Sequence, residues 1–183
     1  HPNLKIKEKL IKGSFVARPN RFLTLVNIKG TVIESHLPDP GRLHELLVPG
    51  AELYLSPAPK NTSRKTHYTT RMVRHHGILI SLVSTLPNQF IKESLKLKTL
   101  SIFKDFKLIK PEHTVGRHRF DFLLKNENEN DYILEVKSVT YVEKDLAQFP
   151  DAVTERGRRH ASALQKLVES GNRAGILFVC QRP

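Results

Sequence analysis

The spacing of hydrophobic positions changes character near residue 86. Before it, "LIKGSFVARP", "FLTLVNI", "TVIESHL", "ELYLSP", "HYTTRMVRHHG" and "ILISLVSTL" are short segments rich in β-branched and aromatic residues, divided by turn signals such as "ARPNR", "KG" and "PDPG". That pattern predicts a small all-β barrel or sandwich. Between the third and fourth segments, "GRLHELLVPG" predicts one short helix from about Arg42 to Leu47, stopped by Pro49 and Gly50. A five-stranded barrel with a helix after strand three is the OB pattern, whose sheet face and loops bind single-stranded nucleic acid or sugars.

Beyond residue 86 the period becomes helical and then returns to strands. "PNQFIKESLKLKTL" puts Phe90, Ile91 and Leu95 on one face, with Glu93 at its border and Asn88 as the expected N-cap. "FKLIK", "RFDFLL" and "YILEVKSV" follow as strands. "VTERGRRHASALQKLVESG" reads as a helix turning Leu164, Leu167 and Val168 inward and closed by Gly171. "AGILFVC" is a continuous apolar run, expected to be a strand covered on both sides. The order helix, three strands, helix, strand allows the Glu135 strand and the last strand to lie parallel through a right-handed crossover.

Two of these strands carry charge where oily faces are expected. Phe120, Phe122 and Leu124 share one face of "RFDFLL", leaving Arg119, Asp121 and Leu123 on the other, while Glu135 and Lys137 share a face of their own strand. A hairpin centred on Asn128 sets Leu124 opposite Tyr132, and continuing that register brings Asp121 opposite Glu135. Like charges so placed repel, and a cation between them removes the conflict. Two carboxylates with several retained waters suit Mg²⁺ or Mn²⁺ better than zinc. Lys137 is then placed to orient or deprotonate a water, or to stabilise charge on a phosphate, which is the equipment for metal-assisted attack on a phosphodiester. The competing reading is a solvated strand edge.

Charge adds a partner. The formal net charge is +12 and the pI near 10.0, high enough to favour nucleic acid or another anionic surface. Residues 1–85 hold 13 Lys and Arg against 5 Asp and Glu, and residues 86–183 hold 17 against 13, so the positive field is concentrated in the first half. Arg71 and Arg74 in "RMVRHHG" are expected to track backbone phosphates. Arg42 is placed to meet DNA or the second domain. Arg156, Arg159 and His160 in "TERGRRH" form either a phosphate-contacting helical face or a solvated basic one, with Asp151 and Glu155 available to hold the arginines.

No run approaches the roughly 18 apolar residues of a membrane span, and the start lacks a signal peptide's apolar core, so a cytoplasmic protein with no membrane partner is expected. His1 in place of Met suggests a processed or engineered start. Cys180, the single cysteine, reads as a buried structural thiol. Whether the chain forms a homo-oligomer is not legible.

The run from Asp121 to "EVK" in this order of elements resembles the PD-(D/E)xK nuclease superfamily. More specifically, "SHLPDPGRLHELLVPGAELYL", "RFDFLL", "LEVKSVT" and "FPDAVTERGRRH" resemble the sugar fermentation stimulation protein A (SfsA) family. The resemblance implies an N-terminal OB-like β-barrel over residues 1–85, followed over residues 86–183 by a nuclease-like α/β domain with a mixed sheet flanked by helices. It implies Asp121 and Glu135 on the metal, Lys137 on the attacking water, and Glu93 as a further catalytic acid from the first helix. It also favours a DNA-contacting role for Arg156, Arg159 and His160. Phe120 stands where the motif name has proline, and a further C-terminal segment is expected after "FVCQRP". Two readings follow: a DNA-binding, Mg²⁺- or Mn²⁺-dependent deoxyribonuclease, or a non-catalytic DNA-binding transcription regulator of sugar (maltose) metabolism that retains the nuclease fold.

Overall fold

The computed structural model describes residues 9–60, 63–143, 146–148 and 155–181. Two compact units emerge, one centred on residues up to Ser84 and one formed by Thr85–Ser138 with the last helix and strand.

In the first unit, β1 (Ile11–Asn20), β2 (Leu23–Ile28), β3 (Thr31–His36), β4 (Glu52–Pro57), β5 (Tyr68–His75) and β6 (Ile78–Ser81) match the six segments read from the sequence. The sheet runs β3-β2-β1-β4-β5-β6, and a parallel pairing of Ser35 with Tyr68 and His36 with Thr69 joins β3 to β5. That join closes β1 to β5 into an OB barrel. Val26, Leu53, Leu55 and Val73 are fully buried inside it, facing inward from β2, β4 and β5, and Leu37, just after β3, and Ile80 of β6 join the same core. Lys29–Gly30 and His76–Gly77 take positive φ at two successive positions, the geometry of two-residue hairpin turns between β2 and β3 and between β5 and β6. Gly13 is required for a different reason: a Cβ there would lie 2.6 Å from Val26 Cγ1.

A buried polar set sits at the closure. Thr24 Oγ1 and Thr70 Oγ1 are 2.7 Å apart, and the Thr70 hydroxyl donates to Ser35 Oγ at 2.9 Å. Thr24 also donates to the Ser35 carbonyl at 3.2 Å. These residues from β2, β3 and β5 are fully buried, so their mutual bonding removes the cost of desolvated hydroxyls.

The helix expected over Arg42–Leu47 does not form. One turn closes with Leu47 N–H donating to the Leu43 carbonyl at 2.9 Å, but Leu43 itself has φ +55, a conformation no α-helix continues through.

The second unit is a mixed sheet with two helices. Its order is β12-β9-β8-β7, from β7 (Phe106–Val115), β8 (His118–Asn126), β9 (Asp131–Val139) and β12 (Arg173–Cys180). Helix α1 (Leu86–Lys96) precedes it, and α2 (Glu155–Glu169) links β9 to β12 after a small hairpin, β10 (Tyr141–Glu143) and β11 (Leu146–Gln148), that the hydrophobic pattern did not signal. Ile91 and Leu95 of α1 pack with Phe122, Leu124, Leu134 and Val136, and Leu164 of α2 packs with Leu123 and Ile133. The apolar stripe of α1 is as read, with Phe90 half-buried.

Three local expectations are corrected. Thr85, not Asn88, is the N-cap of α1, because Pro87 occupies the first turn and starts the helix earlier. Val168 is 51% exposed and points away from the core that Leu164 enters. β12 is an edge strand with alternating exposure, so Ile176, Phe178 and Cys180 are exposed and the thiol is not buried. A continuous apolar run does not distinguish a central strand from an edge strand. Gly171 ends α2 as expected, with φ +88.

Candidate metal-binding site

The β8–β9 hairpin sets the geometry. Asn126 Oδ1 accepts the backbone N–H groups of Asn128 and Asn130, at 3.1 and 2.9 Å, and shapes the polar loop. Pairing then runs Lys125 with Asp131, Leu124 with Tyr132, Leu123 with Ile133 and Phe122 with Leu134. This is the register read from the sequence, and the next residues along it are Asp121 and Glu135.

The strand pairing stops one step short of them, at Phe122 and Leu134. In its place the Asp121 side chain enters: Oδ2 accepts the Val136 backbone N–H at 2.7 Å, and Oδ1 accepts the Asn88 amide at 2.6 Å. Freed from β9, the end of β8 also loses strict alternation. Phe120 packs with Leu123, Ile133 and Leu164 rather than with Phe122 and Leu124 as the sequence suggested.

Glu135 is 3% exposed. Its Oε1 carries two partners, the Lys137 ammonium and His160 Nδ1, the latter at 3.0 Å. Its Oε2 is buried with no hydrogen-bond partner among the described residues. An anionic oxygen removed from water and left unpaired is costly, and a cation is the partner such an oxygen lacks. Burial raises the pKa of Asp121, and the Glu135 charge adds to the rise; the Val136 N–H, Asn88 and Lys137 oppose it. The two acids therefore feel each other, and an all-oxygen pair with one orphaned atom fits a hard divalent ion.

Other predicted residues lie elsewhere. Glu93 is half-exposed and pairs with Lys96 at 3.3 Å; α1 delivers Asn88 to the acids instead. Among the described residues no group of three or more His, Cys, Asp or Glu is arranged to hold a metal, so Glu93 does not complete one. The spacing explains this, since five positions along a helix turn Glu93 well away from the face of Asn88. His160, read as a DNA contact, sits on Glu135, whereas Arg159 is exposed. Arg156 lies on α2 with its side chain outside the described residues, as does the whole of Asp151, and Glu155 pairs with Arg158 at 3.3 Å. The role of Asn88 was hidden because its sequence signal, a capping residue before an apolar stripe, has a more common meaning.

On the barrel, Arg71 donates to Ser56 Oγ at 2.9 Å. Arg74 donates to Glu52 at 2.9 Å and to the Tyr54 hydroxyl at 2.9 Å, and its guanidinium lies 5.7 Å from the Tyr54 ring centroid. Lys12 joins Glu52 at 2.5 Å. These contacts hold the carboxyl of Glu52 down at about 2, with Lys12, Tyr54 and Arg74 each bonding the charged form. Arg42 is exposed, with its carbonyl accepting from Arg18 at 2.6 Å. No helix among the described residues is long and apolar enough to cross a membrane.

Known proteins resemble this chain in sequence and in fold. Residues 85–183 match the family described as "Sugar fermentation stimulation protein RE domain", and residues 16–82 match "SfsA N-terminal OB domain". A sugar fermentation stimulation protein homolog of Moorella thermoacetica is 44% identical over 98% of this chain and 77% of the relative. The homolog of Acetivibrio thermocellus is 42% identical over 98% of this chain and 76% of its own. A structure of Pyrococcus furiosus SfsA in complex with Ca²⁺ superposes with a TM-score of 0.84 at 30% identity, covering 99% of this chain and 78% of that one. With both halves matched in sequence and the fold matched in space, the chain belongs to the SfsA family, the sugar fermentation stimulation proteins.

Proposed function

We propose that the second unit is a divalent-metal-dependent nuclease site acting on DNA in the cytoplasm, with the basic barrel as a DNA-binding partner. The observation that carries this reading is the buried Glu135 oxygen without a hydrogen-bond partner among the described residues, beside an acid on the neighbouring strand. Asp121 and Glu135 would hold Mg²⁺ or Mn²⁺. Such an ion, when bound, lowers the pKa of a coordinated water and offsets charge on a phosphate. The structure of the Pyrococcus furiosus relative in complex with Ca²⁺ supports a divalent-cation site in this family.

The chain's own groups divide the remaining work. The Val136 N–H and the Asn88 amide fix the plane of the Asp121 carboxylate. His160 holds Glu135 from α2. Lys137, partly exposed and on the same oxygen, is the donor available to a water or to a phosphate oxygen. Arg71, Arg42 and Arg159 are the arginines offered to the DNA backbone, and Arg74 is the stiffener of its strand.

The test is to incubate the protein with single-stranded, duplex and branched DNA in Mg²⁺ or Mn²⁺ beside Glu135→Ala. Cleavage by the wild type alone is expected. Equal DNA binding without cleavage by either protein would reject the nuclease. A second reading, a non-catalytic DNA-binding regulator, has one observation in its favour: Lys137 and His160 already occupy Glu135 Oε1, and no third acid joins the pair among the described residues.

A further inference from the structure

Helix α1 brings one side chain to the acid pair, and it is an amide. Asn88 Nδ2 stands 2.6 Å from Asp121 Oδ1. On the same carbon, beside the nitrogen that makes this short bond, sits the amide carbonyl oxygen, a neutral acceptor. A primary amide offers a donor end and an acceptor end of nearly identical shape, interchanged by a half-turn about one bond. With the carboxylate alone in front of it, the donor end faces Asp121. With a cation in front of it, the oxygen end is the favoured one.

We infer that Asn88 is a third protein oxygen ligand of the cation held by Asp121 and Glu135, an inference that rests on the metal-site reading above. Amide carbonyls are ordinary ligands of hard divalent ions. A neutral ligand also suits this site: the two acids already repel, and a third negative charge would add to the repulsion when the ion is absent. The two states of Asn88 give it two tasks, since it neutralises Asp121 by donation without the ion and completes the oxygen set with it. Glu93, bonded to Lys96 on the half-exposed side of the helix, does neither.

The experiment is Mn²⁺ titration calorimetry on the wild type, Asn88→Asp and Asn88→Ala, with thermal melts in EDTA to establish folding. A ligand oxygen predicts opposite signs: about three-fold or more tighter binding for Asn88→Asp, whose charge strengthens the bond, and about ten-fold weaker binding for Asn88→Ala. Weaker binding by both variants means that only the N–H donation matters and overturns the inference. Unchanged affinity in both overturns it as well, while leaving the metal site standing. A wild type that binds no Mn²⁺ sinks both together. A second measurement needs no folded variant beyond the assignment: in a Mg²⁺ titration of ¹⁵N-labelled wild type, the Asn88 side-chain NH₂ resonances should move as its bond to Asp121 breaks. Resonances that stay in place at saturating Mg²⁺ overturn the half-turn.

Discussion

Asp121 Oδ2 accepts the Val136 backbone N–H at 2.7 Å, one residue beyond the Phe122–Leu134 pair with which the β8–β9 pairing stops. A side chain thus does what a main-chain carbonyl does elsewhere in the sheet. The two roles of Asp121, structural acceptor and candidate ligand, are separable by substitution. Asp121→Asn keeps an acceptor for Val136, whereas Asp121→Ala leaves that N–H unsatisfied, at a cost of about 1–3 kcal/mol. Urea unfolding without divalent ions should therefore show Asp121→Ala less stable than Asp121→Asn by about that amount. Both should abolish the Mn²⁺-induced rise in melting temperature.

Neighbours on α2 should part company in their effects. His160 bonds Glu135, and removing a partner that orients a metal ligand typically costs about 10- to 100-fold in metal affinity or activity. Arg159 is exposed. His160→Ala is expected to weaken Mn²⁺ binding in calorimetry by that factor. Arg159→Ala should leave Mn²⁺ binding alone and lower DNA affinity with a shallower salt dependence.

On the barrel, acid stability should report on Glu52. Its carboxyl lies at about 2, below the ordinary 4.5, so the folded state prefers the charged form. A depressed pKa contributes stability that is present above the ordinary value and lost as the pH falls through the folded one. Relative to the wild type, Glu52→Gln is expected to be destabilised at pH 6. The difference should shrink as the pH falls from about 4.5 towards about 2, followed by urea midpoints at each pH.

Thr70 should be a costly place to lose a hydroxyl. Its Oγ1 serves both Thr24 and Ser35 in a fully buried site. Thr70→Val keeps the shape but removes one hydrogen bond from each of two buried partners, and a loss of about 1–3 kcal/mol is expected from denaturant unfolding. Thr69→Val, without those two bonds, is the control and should cost less.

Much of the fold is legible in the sequence. The β8–β9 register followed from a polar loop of known length between alternating strands, so Leu124 and Tyr132 could be paired and Asp121 aligned with Glu135. The six strands of the first unit follow from turn residues at regular intervals. The misreadings share a cause, in that each depended on what lies next to a segment in space. An apolar run such as "AGILFVC" does not state whether a neighbour covers it, and β12 proved to be an edge. Leu43 at positive φ aborts a helix that composition favours. Asn88 reads as a cap because nothing in the sequence shows that Asp121, 33 residues away, lies against it. His160 was grouped with arginines by helical spacing, which identifies a face but not what the face meets.

The parallel join of β3 to β5 involves only two residue pairs, Ser35 with Tyr68 and His36 with Thr69. A cylinder fastened by so short a seam should breathe there before it breathes anywhere else around its wall. Amide hydrogens along that seam would then exchange with solvent sooner than those between β2 and β3, where six pairs hold. The hydroxyls of Thr24, Ser35 and Thr70 sit where they would act as the latch.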